Sequence, residues 1–241
     1  YNQTLAVDSL NLVIPEGEFF CFLGPNGAGK TTTIKMLTGL LRPTSGIARV
    51  AGHDLQMEPV AAKRQIGYVP DRPYLYEKLT GREFMKFTGE LFGIDRRRRE
   101  EATERYFSLF RLLDVADQFI ENYSHGMRQK LVLAAQLMHE PRALIVDEPM
   151  VGLDPQSART IKQLLREQAA EGRAVFLSTH TLSVAEELAD RIGVIHHGRL
   201  LFVGTISELR ARLASDGNLE DLFLRLTEER DESPAASEVA P

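Results

Sequence analysis

Short apolar runs alternate with helix-compatible segments along most of the chain. Three of the apolar runs contain no polar residue: Phe19–Leu23, Ala143–Val146 and Ala174–Leu177. Such runs are typical of strands buried on both faces of a parallel sheet. Thr33–Leu41 follows the first run and Leu182–Ala189 follows the third, and both have the spacing of helices. This alternation predicts an α/β core with a mostly parallel sheet.

Further strands are expected in the core, which should include an antiparallel β portion. Leu10, Leu12 and Ile14 alternate with polar residues, which predicts a strand with one wet face. Ile192–Ile195 and Leu200–Val203 flank a His-Gly pair, which predicts a hairpin. Further short strands are expected through Val50 and over Ile66–Val69, and a helix capped by Asp154 with Pro155 in its first turn.

A strand-free helical segment interrupts the alternation. Thr80 and Glu83 match a capping box, so a helix should begin there. A second helix is predicted over Glu100–Leu113, with Tyr106, Leu109 and Leu113 on one face, and a third over Ser124–Met138. We therefore divide the chain into a P-loop core with an antiparallel β portion (1–78 and 139–210), a helical subdomain (79–138), a C-terminal helical extension (211–227) and a disordered tail (228–241).

Composition and charge exclude some classes of function. The 241 residues carry a net charge of -5, which gives no support for nucleic-acid binding. The run Arg96–Arg99 is interpreted as a solvated charged patch. No apolar run approaches the roughly 18 residues of a membrane span. The single cysteine, Cys21, permits no disulfide within the chain, which suits a reducing cytosol.

A glycine-rich segment after the first buried run carries the strongest chemical signal. Gly24–Thr31 fits the pattern Gly-x-x-x-x-Gly-Lys-Ser/Thr between a strand and a helix, which is the P-loop context. A glycine-rich turn that binds nothing would explain the glycines but not the placement of Lys30 and Thr31. Lys30 can reach phosphates, and the Thr31 hydroxyl can ligate Mg²⁺. We assign nucleotide binding to Asn26, Gly27, Ala28, Gly29, Lys30, Thr31 and Thr32.

Two carboxylates follow the apolar run Ala143–Val146. They stand at the carboxyl end of a buried strand, where open α/β sheets place their ligands. Asp147 fits a Mg²⁺ role through water, and Glu148 could orient or deprotonate the attacking water. Together with the P-loop, this pair predicts hydrolysis of a nucleotide with Mg²⁺.

The segment Tyr123–Gln129 resembles the signature sequence of the ATP-binding-cassette (ABC) ATPases, usually Leu-Ser-Gly-Gly-Gln. The resemblance covers nearly all of the chain. Ser124 at a helix start and the small Gly126 can form a second anion-binding surface, although an ordinary N-cap also explains Ser124. His125 and Met127 depart from the usual residues, so their side-chain contacts are not carried over.

The resemblance implies further site residues. Asp154 would belong to the D-loop that joins two sites, with N-capping as the alternative. His180 matches the switch histidine that supports Glu148. Tyr1 matches an adenine-stacking aromatic. Asp71 stands where the family carries a glutamine, and it could still reach Mg²⁺ through water.

The resemblance also implies partners. We expect the ATP-hydrolysing subunit of an exporter-like transporter of the ABC-2 type, peripheral at the cytoplasmic face of the membrane. Two copies, or this chain and a paralogous cassette, would pair head to tail. An integral membrane permease would bind in a cleft between the core and the helical insert near Asp71–Met85, with Tyr74, Leu75 and Tyr76 as contacts; a partly buried aromatic cluster is the alternative interpretation of these three residues. The alternatives are a soluble ABC-type ATPase in translation or DNA maintenance, and a regulatory cassette that binds ATP without cleaving it.

Overall fold

The order of strands in the main sheet determines which loops meet. A computed structural model describes residues 5–213, 219–221 and 223–224. Its strands are β1 (Phe19–Leu23), β2 (Arg49–Val50), β3 (His53–Asp54), β4 (Ile66–Val69), β5 (Ala143–Asp147), β6 (Ala174–Thr179), β7 (Arg191–His196) and β8 (Arg199–Gly204). Six of them form one sheet in the order β4-β5-β6-β1-β7-β8, parallel except for the antiparallel β7–β8 hairpin. The predicted mostly parallel α/β fold with an antiparallel portion is confirmed.

The central strands are apolar throughout because helices or loops cover both faces. All five residues of β1 are fully buried. Phe20 and Phe22 pack with Phe176 of β6 on one face, with ring centroids 5.9 and 5.3 Å from that of Phe176. Phe19, Cys21 and Leu23 alternate onto the other face and join the larger core cluster. The β1–β6 pair is therefore a rigid base for the loops that follow it.

The helices connect these strands. They are α1 (Lys30–Leu37), α2 (Pro59–Arg64), α3 (Gly81–Leu91), α4 (Arg96–Phe110), α5 (His125–Leu137), α6 (Pro155–Ala170), α7 (Leu182–Leu188) and α8 (Ile206–Arg212). Two 3₁₀ turns, Leu113–Val115 and Ile120–Asn122, link α4 to α5. The predicted capping box of Thr80 and Glu83 is present, with both reciprocal hydrogen bonds. α3, α4 and α5 lie between β4 and β5 in the chain, where a helical segment was predicted.

Several element predictions are wrong in detail. The segment 10–14, predicted to be a strand, belongs to no strand of the described structure. α4 begins at Arg96, since the side chain of Asp95 caps it by accepting from the backbone N–H of Arg98. It ends before Leu113, because Arg111 is left-handed. Of the three residues predicted on one face, Leu109 and Leu113 are 42% and 39% exposed, whereas Tyr106 is buried as predicted.

Other boundaries differ from the sequence-based ones. α1 starts at Lys30 and ends at Leu37, earlier at both ends than predicted. α2 and β3 were not predicted; α2 starts with Pro59 at a first-turn position. In the 211–227 segment, the described Leu219 is buried against the main core. Tyr1 and the 228–241 tail lie outside the described residues, so those predictions and the proposed domain boundaries stay predictions.

Candidate functional site

The carboxyl ends of β1, β5 and β6 meet at one edge of the sheet, because these strands are neighbours and parallel. The loop and helix start after β1 and the end of β5, together with Ala6 and Asp71, line a cavity of about 240 Å³. Its lining consists of Ala6, Pro25, Asn26, Gly27, Gly29, Lys30, Thr31, Thr32, Asp71, Asp147 and Glu148. A larger cavity of about 980 Å³, beside the 5–16 segment, contains neither Lys30 nor these three carboxylates. We therefore place the chemistry in the smaller cavity.

The loop after β1 curls around the Lys30 ammonium. Nζ of Lys30 donates to the carbonyl oxygens of Gly24 at 2.5 Å and Pro25 at 3.2 Å. Gly29 is the N-cap of α1 and has a φ of 111°, a left-handed conformation that glycine adopts without strain. A Cβ there would lie 2.7 Å from the backbone oxygen of Ala6. The local turn therefore requires glycine at this position.

Burial and charge act in opposite directions on the ionisable groups of the cavity. Burial lowers the pKa of Lys30, while the charges of Glu148 and Asp147 favour its protonated form. Burial raises the pKa of Asp147, and the charges of Glu148 and Asp71 raise it further. Three carboxylates thus share a cavity whose lining has one cationic side chain among the described residues. An added cation would relieve their repulsion.

Glu148 is held from two sides by the end of β6. Its Oε1 lies 2.8 Å from Nδ1 of His180, and its Oε2 accepts from the Thr179 hydroxyl at 3.2 Å. Its backbone N–H donates to the carbonyl of Ser178 at 3.0 Å. Its φ of 47° is left-handed, a strained conformation for a glutamate. The β5–β6 pairing therefore directs this carboxylate toward the cavity that it lines.

Ala28 is placed differently from its neighbours in the predicted phosphate loop. Its side chain is buried in the core cluster that contains Phe20 and Phe22. Its backbone N–H donates to the carbonyl of Pro25 at 3.2 Å. The other six residues assigned to nucleotide binding in this loop line the cavity, and Ala28 does not.

Ser124, Gly126 and Asp154 lie outside the lining of this cavity. Ser124 and Asp154 both cap helices: Ser124 accepts from the N–H of Met127 at 3.3 Å and Asp154 from that of Ser157 at 2.9 Å. The two caps are joined by packing, because a Cβ on Gly126 would lie 3.1 Å from a methyl carbon of Leu153. These predicted residues form a second surface, separate from the phosphate loop.

The donor set of the cavity fits Mg²⁺. Asp71, Asp147 and Glu148 supply carboxylate oxygens and Thr31 a hydroxyl, and hard divalent cations prefer such ligands. Among the described residues no three His, Cys, Asp or Glu side chains are grouped to hold a metal by themselves. The cation would therefore need oxygens from another source, such as phosphate or water.

Some residues of the site were not predicted. Ala6 lines the cavity, and Thr179 holds Glu148. Thr179 could have been found, since it ends a buried run directly before the predicted His180.

The site defines a class of protein. A strand–loop–helix phosphate cradle after β1, with paired carboxylates at the end of β5, is typical of P-loop nucleotide hydrolases.

Comparison with known proteins gives the family. The model of the ABC transporter family matches residues 7–151. The chain is 43% identical over 216 residues to the daunorubicin/doxorubicin resistance ATP-binding protein DrrA of Streptomyces peucetius, covering 90% of this chain and 66% of that protein. It is 37% identical to the linearmycin resistance ATP-binding protein LnrL of Bacillus subtilis (strain 168), covering 90% of this chain and 70% of that protein.

A solved structure agrees with these matches. One described as the ATP-binding subunit of an ABC transporter has a TM-score of 0.90 and 32% identity, covering 94% of this chain and 95% of that chain. The chain belongs to the ABC transporter family of ATP-binding proteins. The predicted ATPase class and transporter assignment are confirmed over the alternative role in translation or DNA maintenance.

The chain spans about two thirds of the length of these curated relatives. Within residues 5–213, 219–221 and 223–224, none of the helices has the length and hydrophobicity of a transmembrane segment.

Proposed function

We propose that the cavity binds ATP with Mg²⁺ and that the chain hydrolyses it to drive transport through a separate membrane subunit. The observation that carries this proposal is the anchored Glu148. It lines the same cavity as Lys30, and His180 and Thr179 fix both of its carboxylate oxygens. A base must be oriented before it can take a proton from water, and these two contacts supply that orientation.

Each cavity residue has a role in this proposal. Lys30 exchanges its bonds to the loop carbonyls for phosphate oxygens, and the backbone of Asn26, Gly27, Gly29 and Thr32 surrounds the phosphates. Thr31, Asp147 and Asp71 would hold Mg²⁺, directly or through water. When bound, the ion neutralises phosphate charge. Glu148 accepts the proton of the attacking water, and His180 keeps Glu148 in place. Tyr1 would stack on the adenine.

A second chain completes the site. Ser124, Gly126 and Asp154 stand together on a surface outside the cavity, where the N-terminus of α5 carries a partial positive charge. In the proposed head-to-tail pair, this surface of one copy, or of a paralogous cassette, closes on the phosphates held by the other. ATP would then hold the pair together until it is cleaved.

The membrane partner would be an integral permease, which this chain would contact at the cytoplasmic face of the membrane. Tyr74 is 93% exposed and Tyr76 60% exposed, while Leu75 packs against the core. Exposed aromatics on an anchored segment are typical of protein interfaces. This segment follows Asp71 in the chain, so binding of the permease there would shift Asp71 in the cavity that it lines. Because the two relatives are named for resistance to organic antibiotics, we propose export of small organic molecules.

Replacement of Glu148 by Gln tests the catalytic proposal. The amide keeps the shape of the side chain but cannot accept the proton, so ATP turnover should fall by about 10²- to 10⁴-fold while Mg·ATP binding is retained. Glu101→Gln, at an exposed surface pair on α4, is the matched control and should keep the parent rate. A Glu148→Gln chain that turns over ATP like the parent would remove Glu148 from the mechanism. A parent chain that binds Mg·ATP without cleaving it would indicate the regulatory class.

The same variant tests the pairing. With ATP and Mg²⁺ it should sediment as a dimer, because ATP is held but not released by cleavage. If it remains monomeric with Mg·ATP, both alone and when combined with its permease, the shared site is refuted.

A further inference from the structure

Helix α5 runs along the free edge of the main sheet. β4 is the terminal strand on that side, and the carbonyl of Gln65 accepts from Ala143 of β5. Because successive residues of a strand bond to opposite sides, residues 66, 68 and 70 turn their backbone groups away from β5. In an ordinary edge strand these groups would face solvent.

Two side chains of α5 and one that follows the helix form hydrogen bonds with the backbone of this edge strand and the residue after it. Nε2 of His139 donates to the carbonyl of Ile66 at 3.0 Å. Oε1 of Gln136 accepts from the N–H of Tyr68 at 3.1 Å. The side chain amide of Gln129 donates to the carbonyl of Pro70 at 3.3 Å.

The bond from Gln129 differs from the other two. It reaches beyond the end of β4, to the residue directly before Asp71, which lines the nucleotide cavity. Gln129 also lies five residues after Ser124, about one and a half turns into α5. The buried side chain of Gln129 thus lies between the Asp71 loop and the end of α5 that begins at Ser124.

Gln129 is poorly suited to a purely structural role. It is 1% exposed, and its Oε1 is buried with no hydrogen-bond partner among the described residues. A buried amide with an unpaired acceptor costs stability, and an apolar side chain of similar length would avoid that cost. Gln136, by contrast, bonds a backbone N–H that would otherwise have no partner from the sheet.

We propose that Gln129 is a positioning residue that couples α5 to the Asp71 loop, so that displacement of the Ser124 end of the helix shifts Asp71 in the cavity. The inference rests on the proposed function, because it assigns the coupling to the cycle of ATP binding and cleavage. The polar contact at Pro70 transmits the displacement, and apolar packing alone would let the loop slide along the helix.

Two matched substitutions on the same helix test the inference. Gln129→Met should leave the melting temperature of the full chain equal or higher, lower kcat by about tenfold and change the KM for ATP by less than about twofold. Gln136→Met leaves the N–H of Tyr68 unpaired, so it should lower the melting temperature and, well below that temperature, keep the parent kcat. Parent kcat in Gln129→Met would overturn the proposal. So would a lower kcat that appears equally in both variants.

A double-mutant cycle locates the coupling. If Gln129 acts through the Asp71 loop, the effects of Gln129→Met and Asp71→Gln on permease-stimulated turnover should be clearly less than additive. Additive effects would show that Gln129 acts elsewhere and would overturn the proposal.

A measurement without nucleotide separates this inference from the proposed function. Amide hydrogen exchange of the parent and Gln129→Met chains should differ, with faster exchange in residues 71–76 and unchanged exchange in β5 and β6. Unchanged exchange in residues 71–76 would overturn the inference even if the chain hydrolyses ATP. A parent chain without ATPase activity would refute the proposed function, and the exchange result would still decide the coupling.

Discussion

His139 gives the structure a stability that depends on pH. Its ring stacks on Phe92, with centroids 3.8 Å apart and planes 7° from parallel. Nε2–H donates to the carbonyl of Ile66, and Nδ1 is buried without a hydrogen-bond partner among the described residues. Protonation at Nδ1 would therefore place an unpaired charge in the interior. Burial accordingly lowers the pKa of His139 from 6.5 to about 4.

The sign and size of the effect follow from this pKa. Between pH 6.5 and 4 the unfolded chain binds a proton at His139 that the folded chain excludes, so the free energy of unfolding falls as the pH falls. Above pH 6.5 both states are neutral and this histidine contributes no pH dependence. At about 1.36 kcal/mol per pH unit, the loss reaches about 2 kcal/mol at pH 5 and about 3 kcal/mol in the limit.

His139→Phe keeps an aromatic ring against Phe92 and removes the titration. At pH 7 the variant should be less stable by about 1 to 3 kcal/mol, because the carbonyl of Ile66 loses its donor. By pH 5 that gap should shrink by about 2 kcal/mol, since only the parent is penalised. Urea unfolding followed by circular dichroism at both pH values measures it. Titration of the groups common to both chains cancels in the difference, so a gap that stays constant from pH 7 to pH 5 would refute the buried neutral histidine.

Two further predictions concern the site. Asp71→Gln removes one of three carboxylates from the cavity. We expect Mg·ATP binding to persist, but the Mg²⁺ concentration for half-maximal turnover should rise on the order of threefold to tenfold. Permease-stimulated turnover should also change. ATPase assays over a Mg²⁺ titration, with and without the permease, measure this, and unchanged rates throughout would remove Asp71 from the mechanism. Gly126→Ala places a methyl group 3.1 Å from the flexible end of Leu153, so the free energy of unfolding in urea should fall by less than about 1 kcal/mol. In the Glu148→Gln background, the same change should weaken the ATP-bound dimer seen by sedimentation. Undiminished pairing would indicate that Gly126 does not face the other copy.

The parts of the fold that were predictable are those where the local pattern has one physical solution. Phe19–Leu23 is too short for a membrane span and too apolar for an exposed strand, so burial on both faces follows. The phosphate loop is similar, because its glycines, lysine and threonine must be contiguous to surround one anion. The contact between Glu148 and Thr179 was missed because it depends on strand register: Asp147 lies beside Ser178, which brings the next residue of each strand together.

The meaning of a polar residue on a helix depends on what the helix faces. Tyr106, Leu109 and Leu113 have the spacing of one helical face, yet of the three only Tyr106 is buried. The other buried aromatic residues of α4 are Phe107 and Phe110, which that spacing did not include. In α5 the sequence prediction missed residues that point inward instead of including residues that point outward. Gln129 and Gln136, seven residues apart, have the spacing of one face, and sequence reasoning gave them no inward role. They are directed toward the protein because their neighbour is the unpaired backbone of an edge strand, which requires hydrogen bonds instead of methyl groups. A hydrophobicity pattern assumes an apolar partner, so it cannot detect a helix that packs against peptide groups.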